Sequence, residues 1–180
     1  VYATRIFSTF VFSFSMRHIL SALLLTLLVW FSQPVFAQLP SVEVKNLKGQ
    51  VVNVQSLGND GQPFVINFWA TWCKPCIKEL DVINDLYLDW QEETGVKIFA
   101  VSIDDARTSS LVRSMTMGRG WEYDILIDEN GDLKRAMNVP NPPHTFLFDG
   151  EGNLVYQHNS YAPGDEEVLY DHIKKLIKGK

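Results

Sequence analysis

The 180-residue sequence predicts an α/β fold, with a central mixed β-sheet flanked by helices and an N-terminal β-hairpin. Three observations carry this expectation. Short β-branched and aromatic runs alternate with stretches of helical period, the pattern of βαβ units with parallel strands. One run, Phe64-Val65-Ile66-Asn67-Phe68-Trp69, is almost continuously apolar, as a strand covered on both faces must be. The last two runs flank Asp149-Gly150-Glu151-Gly152, a turn that makes the final pair antiparallel.

Residues 42–44 and 51–54 read as two short strands around the turn at Lys48-Gly49, and Asn59-Asp60-Gly61 closes that unit. The run at 64–69 follows as a central strand. From Cys73 onward Ile77, Leu80, Ile83, Tyr87 and Trp90 recur at three- and four-residue steps, giving an amphipathic helix that stops near Gly95. Residues 96–103 form another β-branched run, 106–117 a second helix and 123–127 a third buried strand. A short helix at 132–137 precedes strands at 145–148 and 154–158. Asp165, Glu166 and Glu167 open the last helix and Lys174, Lys175 and Lys178 close it, charges that complement the helix dipole.

Residues 1–37 contain no acid, whereas the remainder carries all 21. Arg17 and His18 precede the apolar run 19–31, which has the length of a signal-peptide core and is short for a bilayer span. Val35-Phe36-Ala37 suits a signal peptidase, so residues 1–37 read as a signal peptide cleaved before Gln38, and 38–180 as one domain. Met16 makes a more ordinary start than the apolar stretch before it, which places 1–15 upstream of the start. An uncleaved anchor is the alternative, at a cost of roughly 2.5–3.5 kcal/mol for burying Arg17 mid-span. Export implies the periplasm or cell envelope. With Arg5 and Arg17 set aside, 14 basic and 21 acidic residues leave a net charge of −7 without a basic cluster, which argues against nucleic acid as a partner.

The chain has two cysteines, Cys73 and Cys76. A disulfide across two residues closes so small a loop that it removes little entropy from the unfolded chain. Structural zinc needs four such ligands, and there is no second pair. The dithiol therefore reads as chemistry. At a helix N-terminus, unpaired N–H groups and the positive dipole end favour a thiolate, and Lys74 adds a cation. Cys73 is expected to be the exposed nucleophile and Cys76, one turn inward, the resolving thiol of a redox-active disulfide. Pro75 suits the first helical turn, where its missing N–H is not needed. Trp69 reads as core and Trp72 as a groove wall; His158 and His172 read as structural or solvated.

The stretch Asn67-Phe68-Trp69-Ala70-Thr71-Trp72-Cys73-Lys74-Pro75-Cys76 resembles the active-site segment of the TlpA-like and ResA-like branch of the thioredoxin superfamily. The likeness extends over nearly all of 38–180 through the N-terminal hairpin, the Asp-x-Asn-Gly turn at 128–131 and Pro143-His144-Thr145-Phe146-Leu147-Phe148-Asp149. It implies a thioredoxin-like fold and a thiol–disulfide oxidoreductase without cofactor or metal. The implied partners are client proteins with disulfides or oxidised cysteines and a membrane thiol–disulfide electron donor, and a monomer is expected. By the same resemblance Pro143 is the cis-proline of a substrate groove assigned to Trp72, Pro75, Pro142, Pro143 and His144, and Glu79 the active-site glutamate of ResA-like proteins, standing in for the buried aspartate that cytosolic thioredoxins have where this chain has Asn67. Helical spacing independently puts Glu79 on one face with Cys76; a solvated surface acid is the competing reading.

Two departures from the pattern have physical content. Pro142 has no N–H, so a client strand on that edge loses one donor. His144 replaces a threonine; it is either a strand-edge residue without a role, a group that tunes the thiols, or a metal ligand. The last possibility frames an alternative function, a copper carrier using Cys73, Cys76 and His144. A peroxidase of related fold is a third idea, weakened by the Trp-Cys-x-x-Cys arrangement.

Overall fold

The computed structural model describes residues 39–178, so the signal-peptide and start-codon expectations for residues 1–37 lie outside the described residues. Seven strands form one mixed sheet: β1 (Glu43–Asn46), β2 (Val51–Asn53), β3 (Phe64–Trp69), β4 (Lys97–Ser102), β5 (Asp124–Ile127), β6 (His144–Phe148) and β7 (Leu154–Asn159), in the order β2-β1-β5-β4-β3-β6-β7. The helices are α1 (Lys74–Thr94), α2 (Ser109–Arg119), α3 (Asp132–Ala136) and α4 (Asp165–Lys178). Strands β3, β4 and β5 are parallel; β6 runs antiparallel to β3 and β7 to β6, while the β1–β2 hairpin joins the far edge antiparallel to β5.

Every residue of β3 is buried, because both of its neighbours are strands and both of its faces are covered. Side chains alternate across a strand, and here the alternation divides the core in two. Val65 and Trp69 pack with Leu80, Ile83 and Tyr87 of α1 and with Leu169 and Ile173 of α4. Phe64, Ile66 and Phe68 face the other way, onto Phe99, Val101, Leu126, Leu133, Phe146 and Phe148. The 21-residue α1 ends where expected, on Gly95 with φ 68°, whose N–H bonds to the Gln91 carbonyl.

The elements match the sequence pattern except at their ends. β1 lies one to two residues later than expected, since its pairing with β5 through Lys45 and Asn46 extends it. β2 stops at Asn53, whose carboxamide accepts from the Gln55 N–H and starts a turn of 3₁₀ helix. The second helix begins at Ser109 and not near Ala106. The Asp105 carboxylate accepts from the Arg107 N–H at 3.0 Å and the Asp105 carbonyl from Thr108, holding 105–108 in a turn. Asp128 organises the Asp-x-Asn-Gly turn by accepting from the N–H groups of Leu133 (3.1 Å) and Lys134 (2.8 Å). No helix among the described residues is long and apolar enough to cross a membrane.

The β6–β7 turn packs against the loop ahead of β3 so closely that a Cβ at Gly150 would strike the Gly61 carbonyl, with Gly61 Cα at 3.1 Å. Gly118, in exposed α2, has open space around its missing Cβ. Gly150→Ala is therefore expected to destabilise the fold by about 2 kcal/mol or more, and Gly118→Ala to stabilise it by roughly 0.5–1 kcal/mol. Urea unfolding of the two variants beside the parent checks both signs.

Candidate active site

β3 delivers the chain, through Ala70-Thr71-Trp72, to Cys73 at the N-cap of α1. Cys73 is extended (φ −91°, ψ 93°), and its Sγ accepts from the Cys76 N–H at 3.3 Å. This bond engages one of the helix's otherwise unpaired donors, and on reduction the same donor and the dipole favour a thiolate on Cys73. Pro75 sits in the first turn. Cys73 and Cys76 are joined by a disulfide, their Cα atoms 5.3 Å apart.

Cys73 is not the exposed residue the sequence suggests: it is 5% accessible, and Cys76 is fully buried. The Cys73 sulfur is engaged both by the Cys76 N–H and by the bond to Cys76 Sγ, in a buried setting. Residual access favours Cys73 all the same, and Trp72 beside it is 60% exposed. Trp69 is core, packed edge-on against Trp121. The Pro142–Pro143 bond is cis; Pro143 is buried and its carbonyl accepts from the Ser160 N–H at 3.0 Å.

Asp104 is a residue the sequence reading missed. It is completely buried just after β4 and accepts from the Thr71 N–H (2.9 Å), the Thr71 hydroxyl (2.6 Å) and the Ser102 hydroxyl (2.7 Å). A carboxylate on one strand end thereby grips the loop that ends in Cys73. Thr71 two residues before the dithiol and the Ser-x-Asp ending of β4 were the available signals, but their contact spans 33 residues.

Glu79 is 4% accessible and not a solvated surface acid. Its Oε1 accepts from the Thr145 hydroxyl at 2.9 Å, and that hydroxyl accepts from Asn67 Nδ2 at 2.8 Å. Oε2 has no hydrogen-bond partner among the described residues. Burial pushes the carboxyl up to about 7; the Asn67 amide and Thr145 hydroxyl pull the other way, and the charges of Asp165 and Glu166 add to the rise. A group poised near neutrality can hold or release a proton at working pH.

His144 faces the side of the sheet away from α1. It is paired with Phe68, stacks on Phe146 with ring centroids 4.5 Å apart, and lines a cavity of about 370 Å³ with Leu39, Met137 and Gln157. Neither cysteine lines that cavity. Burial, and His158 secondarily, lower the His144 pKa and so favour the neutral ring. Among the described residues no three His, Cys, Asp or Glu side chains form a metal-binding cluster, so the copper arrangement of Cys73, Cys76 and His144 finds no support. His158 has a carboxylate partner that its spacing did not suggest, Asp165 at 3.1 Å, and His172 stacks on Tyr156 at 4.2 Å.

A parallel βαβ core with a disulfide at the mouth of its first helix, a cis-proline and a buried acid defines a thioredoxin-like redox protein. The chain belongs to the AhpC/TSA family, whose model matches residues 35–157. It is 30% identical over 139 residues to the thiol-disulfide oxidoreductase ResA of Bacillus thuringiensis subsp. konkukian, covering 76% of this chain and 75% of that one. It is 33% identical over 130 residues to the thiol:disulfide interchange protein DsbE of Tatumella citrea, covering 71% and 64%. A thioredoxin-like protein of Porphyromonas gingivalis, solved in solution, superposes with a TM-score of 0.72 at 48% identity, covering 79% of this chain and 94% of that one. The chain is a thiol–disulfide oxidoreductase.

Two stability measurements test the buried acids. Because the folded pKa of Glu79 is raised above its ordinary 4.5, its contribution is fully favourable below about pH 4.5 and is lost as pH rises through about 7. Urea unfolding of the oxidised chain at pH 4.5 and 8 should show Glu79→Gln escaping a loss of about 3 kcal/mol that the parent suffers between them. Asp104→Ala removes the acceptor of two half-buried donors on Thr71 and of the buried Ser102 hydroxyl and is expected to cost roughly 2–4 kcal/mol by the same assay.

Proposed function

We propose that the chain is exported and acts in the cell envelope as a reductant of client-protein disulfides and oxidised cysteines, recharged by a membrane thiol–disulfide donor. The observation that carries this reading is the bridge itself: a two-residue disulfide at a helix N-terminus whose outer cysteine is the more accessible of the two and stands beside exposed Trp72.

In this mechanism the Cys73 thiolate, favoured by the helix N-terminus, attacks a client disulfide and forms a mixed disulfide. Cys76 then loses its proton, Glu79 being the group that accepts it, and attacks Cys73 Sγ to release the reduced client. Trp72, Pro75, Pro142 and Pro143 form the groove in which the client segment lies, His144 being left out of it because its ring stacks on Phe146 and lines a cavity that neither cysteine reaches, and the missing N–H of Pro142 shifts recognition there towards the client's side chains. Cys73 and Cys76 share one bridge, and in this reading a separate protein supplies the electrons that reopen it.

Equilibration of the purified chain against glutathione or dithiothreitol buffers, read by tryptophan fluorescence, measures direction. A potential near or below roughly −250 mV is the expected result, and one between roughly −120 and −180 mV would make the protein an oxidant or isomerase. Cys73→Ser should abolish turnover, while Cys76→Ser should accumulate mixed disulfides visible by non-reducing electrophoresis. Full activity in Cys73→Ser would refute the mechanism.

A further inference from the structure

Thr145 stands opposite Asn67 in the β3–β6 register, on the face of the sheet that receives α1. It is 3% accessible, Asn67 1% and Glu79 4%, so the three polar side chains meet where each must be satisfied from within. A threonine hydroxyl has one proton and two lone pairs. The Asn67 amide donates into one lone pair at 2.8 Å, and the hydroxyl proton is directed to Glu79 Oε1 at 2.9 Å. The bond to Oε1 leaves Oε2, which has no hydrogen-bond partner among the described residues, as the oxygen to carry a proton.

We propose that Thr145 is a positioning residue for the exchange reaction: its hydroxyl, oriented by Asn67, anchors Oε1 of Glu79 and places the transferable proton on Oε2. This rests on the reading of Glu79 as the acceptor of the Cys76 proton. In the resolving step a client sulfur is bonded to Cys73 Sγ. The carboxylate takes the Cys76 thiol proton on Oε2, and the Cys76 thiolate attacks Cys73 Sγ. The Cys73–Cys76 bond forms, the bond to the client breaks, and the client sulfur leaves with the electron pair. The dithiol is oxidised, the client sulfur is reduced, and no further reactant is consumed.

The other titratable groups around this carboxyl are Asp165 and Glu166 on α4, Tyr156 on β7, Tyr161 between β7 and α4, Tyr123 ahead of β5, and His158, which lies opposite Thr145 on β7 and contacts Asp165 at 3.1 Å. None of them hydrogen-bonds it among the described residues: Tyr123 donates to the Leu80 carbonyl, Tyr161 to Glu166, and Asp165 accepts from the Ala162 N–H. The carboxyl's one hydroxyl donor is therefore Thr145, and the acids of α4 act on it by charge alone.

The test uses full-length Thr145→Val, which keeps shape and removes the hydroxyl, with Thr145→Ser to restore it and Glu79→Gln as reference. The Glu79 carboxyl is titrated by carbon-13 NMR in the oxidised chain, and client-disulfide reduction is followed from pH 5 to 9. Thr145→Val should raise the Glu79 midpoint by about one pH unit and slow reduction at pH 6.5 by about ten-fold, with both returning in Thr145→Ser. An unmoved midpoint in Thr145→Val, or a serine variant that fails to restore it, overturns the proposal, provided Glu79→Gln abolishes the pH dependence near neutrality. If Glu79→Gln keeps the parental profile, the reading of Glu79 itself fails and the proposal falls with it. Thr145→Ala supplies the same comparison if the valine variant does not fold.

Discussion

Strand β3 has hydrogen-bonded neighbours on both edges and apolar cover on both faces, so its six residues cannot slide or rotate without exposing an entire core. That constraint determines where Cys73 stands. The strand ends at Trp69, the Trp69 carbonyl accepts from the Ile103 N–H at 2.9 Å, and Asp104 takes hold of Thr71 one step further along. The three residues between the strand and Cys73 are thus fixed from both sides before the dithiol is reached. The sulfur chemistry is local, but its position is set by the register of the whole sheet.

The same register separates two neighbouring residues of β6 to opposite fates. Thr145 faces α1 and meets Glu79, while His144 faces the second core and stacks among phenylalanines. Of the two, the histidine has the more eye-catching chemistry in a sequence. The threonine is the one that touches the acid. Asn67 follows the same rule on β3, a single polar residue in a strand otherwise built from apolar side chains, placed where an amide can steer a hydroxyl.

Much of the fold was legible because it depends on patterns within short windows. The apolar run of β3 and the three- and four-residue steps of α1 define their own elements, and the cysteines fall at the junction whatever the rest of the chain does. What the sequence did not reveal depends on partners far away in the chain. The Glu79–Thr145 bond spans 66 residues and the Thr71–Asp104 bond 33. The burial of Cys73 and the facing of His144 likewise follow from how strands and helix seat together. The start of α2 departs from the sequence pattern for the opposite reason: a strictly local turn at Asp105 overrides the helical pattern around it.

The β1–β2 hairpin has a consequence beyond completing the sheet. Without it, β5 would present an unpaired parallel edge, the kind of template onto which another polypeptide adds a strand. With it, the sheet ends in β2, only three residues long, and at its other margin β7 pairs with β6 through an irregularity at Leu147/Phe148. A protein whose chemistry requires close contact with other chains is left with short or irregular margins for unplanned strand addition, so that encounters are decided at the sulfur and not at the edge of the sheet.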